Sequence, residues 1–250
     1  MKYLSSLRSL VWPMLASLSL LACGGGSSNP PNAIISDARG IWHGTLSSVA
    51  GELNASTLVL PDGQAWMVYT LSGGGLRLAR GNLSVDGTHL TGAAKLFDLD
   101  TGQVAGDLIW SAIATAGNQL KLNSSNESLV GNFHGTTFSS ENTPTIVVSG
   151  VWKDSLNAPN TSWSIARDGT LSGVGIGCTV RGTVLPRSDS LAVASVSYRE
   201  TCTDTMTHTV TETDWTGVAV LAPDNSDKLR FTLVKSDETQ AFMMELTAAQ

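Results

Sequence analysis

The side chains best suited to bind a metal or to transfer a proton are few and scattered along the chain. Four histidines occur, and two of them, His43 and His134, stand in similar Gly-x-x-His-Gly-Thr motifs at positions 40–45 and 131–136. These two would supply a pair of imidazole ligands if their strands were neighbours. Histidines that face solvent on a strand are commoner, and His89 and His208 also lie in predicted strands. We therefore predict no metal site.

Three aspartates, Asp98, Asp100 and Asp107, have a spacing similar to part of a calcium-binding loop. The further ligands and the distant bidentate glutamate of such a loop are missing, so a turn is the better interpretation. The chain also contains no Gly-x-Ser-x-Gly, no His-Glu-x-x-His, no Walker A loop and no complete dinucleotide fingerprint. We predict a protein that is not an enzyme and that holds no cofactor.

The cysteine at position 23 closes the segment Leu20-Leu21-Ala22-Cys23, which resembles the lipobox of bacterial lipoproteins. Lys2 and Arg8 form a basic region ahead of it, and the apolar run from Leu10 to Leu21 ends at a small residue, as a secretory signal does. A membrane-spanning helix needs about 20 apolar residues, and this run is shorter and is interrupted by Pro13.

The lipobox resemblance implies a signal peptide over residues 1–22 and a mature chain that begins at Cys23, whose thiol carries a lipid such as palmitate. Two or more acyl chains would anchor the protein stably in a membrane. Gly24 stands where an aspartate would favour retention in the inner membrane, so the resemblance implies the outer membrane of a bacterial cell envelope. Residues 23–37 are rich in glycine, serine and proline and predict a flexible linker. An ordinary secretory signal with a chance cysteine is the alternative.

The charge of the mature chain excludes some partners. Removal of residues 1–22 takes away Lys2 and Arg8 but no acidic residue, so the formal net charge changes from −6 to −8. Nucleic acids and anionic lipid headgroups attract basic faces, which makes both improbable partners for this chain.

Export also sets the chemistry of the two remaining cysteines. In an oxidising compartment, a disulfide between Cys178 and Cys202 is the default expectation. A free pair or a metal site is the alternative, although two cysteines fall short of the four ligands of a structural zinc site.

The sequence after the linker predicts short β-strands joined by tight turns, because no stretch keeps a helical period. Asp-Gly pairs at 62–63, 86–87 and 168–169 separate apolar stretches, and such pairs readily take the positive φ angles of a hairpin turn. From Gly173 to Val184 apolar residues alternate with small or polar ones. This alternation predicts one half-buried antiparallel strand with Cys178 facing the core.

The two halves of the chain are similar to each other, which predicts two β domains over residues 38–138 and 145–250, divided in the polar stretch 139–144. Gly40-Ile41-Trp42 and Gly150-Val151-Trp152 each open a half, and an Asp-Gly turn follows in both. Convergence of short motifs is the alternative explanation. About eight strands after a Gly-x-Trp motif are similar to the meander barrels of the lipocalin and avidin type, with a two-sheet sandwich as the competing all-β fold.

Six tryptophans of the mature chain are the remaining distinctive feature. In a barrel of that type they would either line an apolar ligand cavity or fill the core. The residues concerned are Trp42, Trp66, Trp110, Trp152, Trp163 and Trp215.

Two roles follow for a lipid-anchored protein of this kind. The first is a non-enzymatic interaction or structural lipoprotein, which would have filled cores and exposed apolar patches for an envelope protein. The second is a module that binds a small apolar ligand, which would have a cavity of roughly 300 Å³ or more beside some of the tryptophans.

Overall fold

The computed structural model describes residues 37–249, except residues 50, 117, 125–127, 139–145, 155–160, 176, 191 and 223–224. The predicted signal peptide, Cys23 and nearly all of the predicted linker lie outside the described residues. The predicted division at residues 139–144 lies outside them as well.

The described chain is all-β, and its sixteen strands form two closed antiparallel barrels of eight strands each. The first barrel contains β1 (Gly40–Ser48), β2 (Gly51–Val59), β3 (Gln64–Thr70), β4 (Leu76–Asp86), β5 (His89–Asp98), β6 (Val104–Thr115), β7 (Gln119–Ser124) and β8 (Val130–Thr137). The second contains β9 (Gly150–Asp154), β10 (Ser162–Ile165), β11 (Thr170–Gly175), β12 (Cys178–Pro186), β13 (Val193–Thr203), β14 (Val210–Ala222), β15 (Asn225–Lys235) and β16 (Ala241–Ala248). The predicted pair of similar meander barrels is confirmed, and the sandwich is excluded.

Each barrel closes because its first strand pairs with both its second and its last. In the first barrel β1 runs antiparallel to β2 and to β8, from Gly40 opposite Thr137 to Ser47 opposite Val130. In the second barrel β9 pairs with β10 and with β16. Closure leaves neither sheet with an open edge that could pair with another chain.

The hairpin between the second and third strands is built in the same way in both barrels. The glycines of its Asp-Gly turns, Gly63 and Gly169, have φ angles of 85° and 84°, which a glycine adopts without strain. The carbonyl of Gly63 accepts a hydrogen bond from the amide of Leu83 at 2.7 Å, and that of Gly169 accepts one from Val184 at 2.8 Å. Leu83 and Val184 occupy the fourth strand of their barrels, so the similarity of the halves extends to hydrogen bonds.

Large apolar side chains fill both barrels, as the inward half of each alternating strand requires. The tryptophans of the two Gly-x-Trp motifs make equivalent hydrogen bonds. Trp42 Nε1 donates to the carbonyl oxygen of Ala38 at 3.0 Å, and Trp152 Nε1 donates to that of Val148 at 2.8 Å. All four residues are buried. The indole therefore ties the segment that enters each barrel to its first strand.

The prediction of a single strand over residues 173–184 is wrong. The stretch is a hairpin in which β11 ends at Gly175 and β12 begins at Cys178. Gly177 has a φ of 70°, which suits a turn, and the side chain of Val174 is 52% exposed instead of facing the core. The apolar alternation continues across the turn only by coincidence of spacing, and Cys178 is half-buried where its strand begins.

The two barrels pack against each other through their outer faces. A third apolar cluster contains Leu58, Leu60, Trp66, Leu78 and Phe97 of the first barrel and Val193, Val218, Val234 and Ala241 of the second.

Polar contacts join the same two faces. The amide of Ala241 donates to the carbonyl oxygen of Gly102 at 2.9 Å. Arg80 and Lys95 both pair with Glu238. These contacts fix one barrel on the other and so determine the shape of the space between them.

Candidate ligand-binding cleft

A cleft of about 520 Å³ lies between the two barrels, next to the apolar cluster that joins them. Its surface is mostly apolar. The residues that line it are Ile41, His43, Ser56, Thr57, Leu58, Trp66, Val68, Gly135, Thr136 and Phe138 from the first barrel and Ala192, Val218, Val220, Leu221, Arg230 and Thr232 from the second.

Strand alternation places these side chains in the cleft. On β1 the inward positions belong to Trp42 and Leu46, which are fully buried in the first core, so His43 between them faces outward. On β15 Leu229 and Phe231 belong to the second core, and Arg230 between them faces the first barrel. The cleft is thus formed by the outer faces of the two barrels. In an isolated barrel these faces would be exposed to water.

His43 is the histidine of the cleft. Its Nδ1 lies 2.9 Å from the Oγ of Ser56, its register partner on β2. Burial lowers the pKa of His43, and the positive charge of Arg230 lowers it further. The imidazole is therefore held in its neutral form more firmly than an exposed histidine.

The two histidines of the sequence motif are brought together: His43 lies directly opposite His134 on β8. The condition for a metal pair is therefore met, but among the described residues no third histidine, cysteine or carboxylate ligand lies close to the two. The Arg230 charge that acts on His43 also opposes a bound cation. We therefore propose no metal site at His43 and His134.

Arg230 supplies the permanent charge of the cleft. Its Nη2 donates to Oε2 of Glu245 at 3.0 Å, while Lys228 Nζ donates to the other oxygen of the same carboxylate at 2.7 Å. The hydrogen bond from Lys228 is the main reason that the pKa of Glu245 is lowered. The Nε of Arg230 is buried and has no hydrogen-bond partner among the described residues.

Trp66 is the tryptophan that lines the cleft. Its side chain is 4% exposed, and its Nε1 has no hydrogen-bond partner in the described part of the chain. The guanidinium of Arg80 lies 5.5 Å from the centre of the indole ring, within the distance of a cation–π contact. This packing holds the ring in place at the wall of the cleft.

The other five tryptophans are placed in the barrel cores. Trp42 and Trp110 belong to the first core, and Trp152, Trp163 and Trp215 belong to the second. Trp163 packs against Tyr198 and Phe231 with ring centres 5.3 and 5.8 Å apart. Core packing is thus the role of these five, as expected for small barrels whose interiors are filled by side chains.

The disulfide between Cys178 and Cys202 is confirmed. The two residues lie opposite each other on β12 and β13. Together with Glu200 they form the one cluster of three potential metal-ligating residues among the described residues. Both sulfurs are bonded to each other in the disulfide, so the cluster does not provide three ligands.

Two of the three aspartates with calcium-like spacing, Asp98 and Asp100, lie at a turn, as predicted. Asp98 Oδ1 accepts hydrogen bonds from the amides of Asp100 and Thr101, each at 3.0 Å, and its carboxylate pairs with Arg77. Asp107 lies on the next strand, opposite Lys95. The hydrogen bond from Arg77, followed by those from the turn amides, lowers the pKa of Asp98.

Sequence reasoning did not identify Arg230 or the cleft. The alternation of Leu229, Phe231 and Leu233 indicates that Arg230 and Thr232 share the opposite face of the strand. That face would be assigned to solvent, because the sequence does not reveal that a second barrel covers it.

No family model matches the chain, and no curated protein gives a significant match. In the described residues no helix is long and apolar enough to cross a membrane. Fold and cleft together define the class as a double eight-stranded meander barrel with an apolar cleft between its barrels.

Proposed function

We propose that this protein is a lipid-anchored, non-enzymatic lipoprotein of the bacterial cell envelope whose cleft between the barrels binds a small apolar ligand. The cleft carries the proposal, because about 520 Å³ of mostly apolar space is well within the range of small-molecule sites. Filled barrel cores support it as well, since they leave the surface between the barrels as the place for a ligand.

Membrane attachment rests on the lipobox and the linker. A tether of glycine, serine and proline would let the barrels move away from the membrane while acyl chains at Cys23 hold the protein there. Cys23→Ala should abolish incorporation of an alkyne-labelled palmitate and release the protein from the outer-membrane fraction of a density gradient. Unchanged labelling of the Cys23→Ala chain would contradict the lipid anchor.

Ligand binding is tested by tryptophan fluorescence of the chain from Gly24 on, which keeps every contact described above. Titration with a neutral apolar probe such as decanol should change the emission in a saturable way, because the indole of Trp66 lines the cleft. The Trp66→Phe variant should lose most of that change, whereas Trp110→Phe, which alters the first core, should keep it.

A response equal in the two variants, or no response, would contradict a ligand site in the cleft. The protein would then be tested as a structural lipoprotein that binds an envelope protein. The exposed side chains of Ile109 and Ile113 on the outer face of β6 are the observation that favours that second role.

A further inference from the structure

Arg230 is the one permanently charged residue in the described lining of the cleft. His43 faces it from the other barrel with a neutral imidazole, and the described lining includes no carboxylate. Within mostly apolar walls, a charge of one sign is only weakly screened and attracts a group of the opposite sign. The cleft therefore differs from a purely apolar cavity, which would take neutral molecules alone.

Arg230 is only partly neutralised by its own barrel. The carboxylate of Glu245 is shared between two cations, with Lys228 Nζ at 2.7 Å and Arg230 Nη2 at 3.0 Å. The buried Nε–H of Arg230 has no acceptor among the described residues. A buried charged donor without a partner is costly, so the guanidinium of Arg230, which lines the cleft, favours a further anionic partner.

Trp66 also carries a hydrogen-bond donor that lacks an acceptor. Its Nε1–H is buried and has no acceptor in the described chain, and the whole residue is only 4% exposed. An indole nitrogen can only donate a hydrogen bond. Two donors without acceptors, one of them charged, therefore lie on residues that line one apolar cleft.

His43 reports the field of Arg230 inside the cleft. The positive charge of Arg230 contributes to the lowered pKa of His43 after the larger effect of burial. An anion placed beside Arg230 would cancel that contribution, whereas a neutral ligand would leave it or increase the burial.

We propose that the cleft selects amphiphiles that combine one apolar chain with an anionic head, with Arg230 as the ion partner of the head. This inference rests on the proposed ligand-binding function and names its ligand class. The apolar chain lies along Leu58, Val68 and Val218, and the head accepts hydrogen bonds from Arg230 and Trp66.

The test compares three ligands with the same ten-carbon chain: decanoate, decyl phosphate and decanol. Each is titrated by calorimetry into the chain from Gly24 on. Charge-assisted hydrogen bonds are about twice as strong as neutral ones, so we expect at least one anion to bind about tenfold or more tightly than decanol. The stronger of the two anions distinguishes a carboxylate ligand from a phosphate ligand.

Arg230→Met should reduce the affinity for the preferred anion about tenfold or more and so remove its advantage over decanol. Glu245 keeps Lys228 as its partner in this variant, which favours folding. Arg181→Met is the matched control, because it removes the same charge from an exposed position of the same barrel. Arg230→Lys, which keeps the charge, should retain part of the preference.

A second measurement uses the unsubstituted chain, so its result does not depend on the folding of a variant. The ring resonances of His43 in the intact chain should show a rise in pKa when the anion saturates the cleft and no rise with decanol. Failure of all three ligands to bind would refute the proposed function itself. Binding of all three with equal affinity, or an equal loss for Arg230→Met and Arg181→Met, would refute only the anionic head.

Discussion

The disulfide of the second barrel allows a quantitative prediction. Cys178 and Cys202 are 24 positions apart in sequence and lie opposite each other on neighbouring strands, so the bond closes a loop that the fold has already closed. In the chain-entropy model a loop of this length contributes about 3.5 kcal/mol, nearly all of it by restricting the unfolded chain. Both residues are half-buried, so replacement with alanine removes little additional packing.

We therefore expect the double variant Cys178→Ala/Cys202→Ala to fold but to unfold at a lower guanidinium concentration, with a free energy of unfolding lower by about 3.5 kcal/mol. Guanidinium titrations followed by tryptophan fluorescence and by far-UV circular dichroism measure this difference. Wild type reduced with dithiothreitol is the matched control and should unfold with the double variant.

The chain from Gly24 on is suited to this assay because it contains no cysteine except Cys178 and Cys202. Thiol titration of the unfolded chain should therefore detect no free thiol before reduction and two free thiols after it. An oxidised wild type that unfolds at the same midpoint as its reduced form would refute the argument, because the restriction of the unfolded chain would then carry no weight in this fold.

Three further predictions concern packing and titration. Gly182→Ala should lower the free energy of unfolding by about 1–3 kcal/mol, because its Cβ would lie 2.1 Å from the carbonyl oxygen of Ser197. Gly175→Ala is the control. Its Cβ would meet no atom closer than 3.7 Å, so it should have little effect in the same denaturation assay. Trp152→Phe should cost about 1–3 kcal/mol, since the buried carbonyl of Val148 loses its donor, and an unchanged melting temperature would contradict this role of the indole. His43 is harder to protonate in the folded chain, so the unfolded chain takes up the proton first and stability should fall as the pH drops below the ordinary value of 6.5. In His43→Gln that part of the pH dependence should be absent from unfolding curves recorded between pH 7 and pH 5.

Local chemistry explains which parts of the fold could be predicted. Asp62-Gly63 and Asp168-Gly169 predict hairpin turns because Asp-Gly accepts positive φ angles whatever surrounds it, and both turns are present. The stretch around Val174 shows the limit of the same reasoning. Alternation with period two continued across a turn at Gly177, and only the pairing of Gly175 with Cys178 distinguishes a hairpin from one long strand.

The candidate site could be predicted only in part for a similar reason. The sequence allows the six tryptophans either to fill the cores or to line a ligand cavity; five of them fill the cores, and Trp66 is the only one of them among the described residues that line the cleft between the barrels. Period-two alternation identifies the two faces of a strand but does not state what covers the outer one. Arg230 could therefore not be distinguished from an arginine exposed to water.

The sequence by itself determined most of the strands and turns, the two similar halves and the pairing of Cys178 with Cys202, because each depends on residues near in the chain or on simple counting. The tertiary structure alone decided that the outer faces of two barrels meet, and hence that His43, Trp66 and Arg230 line one apolar cleft. These residues are far apart in sequence, and their proximity follows from barrel closure and from the packing of Leu58 and Phe97 against Val218 and Val234. Such long-range packing is set by the summed burial of apolar surface over the whole chain, which no local pattern contains.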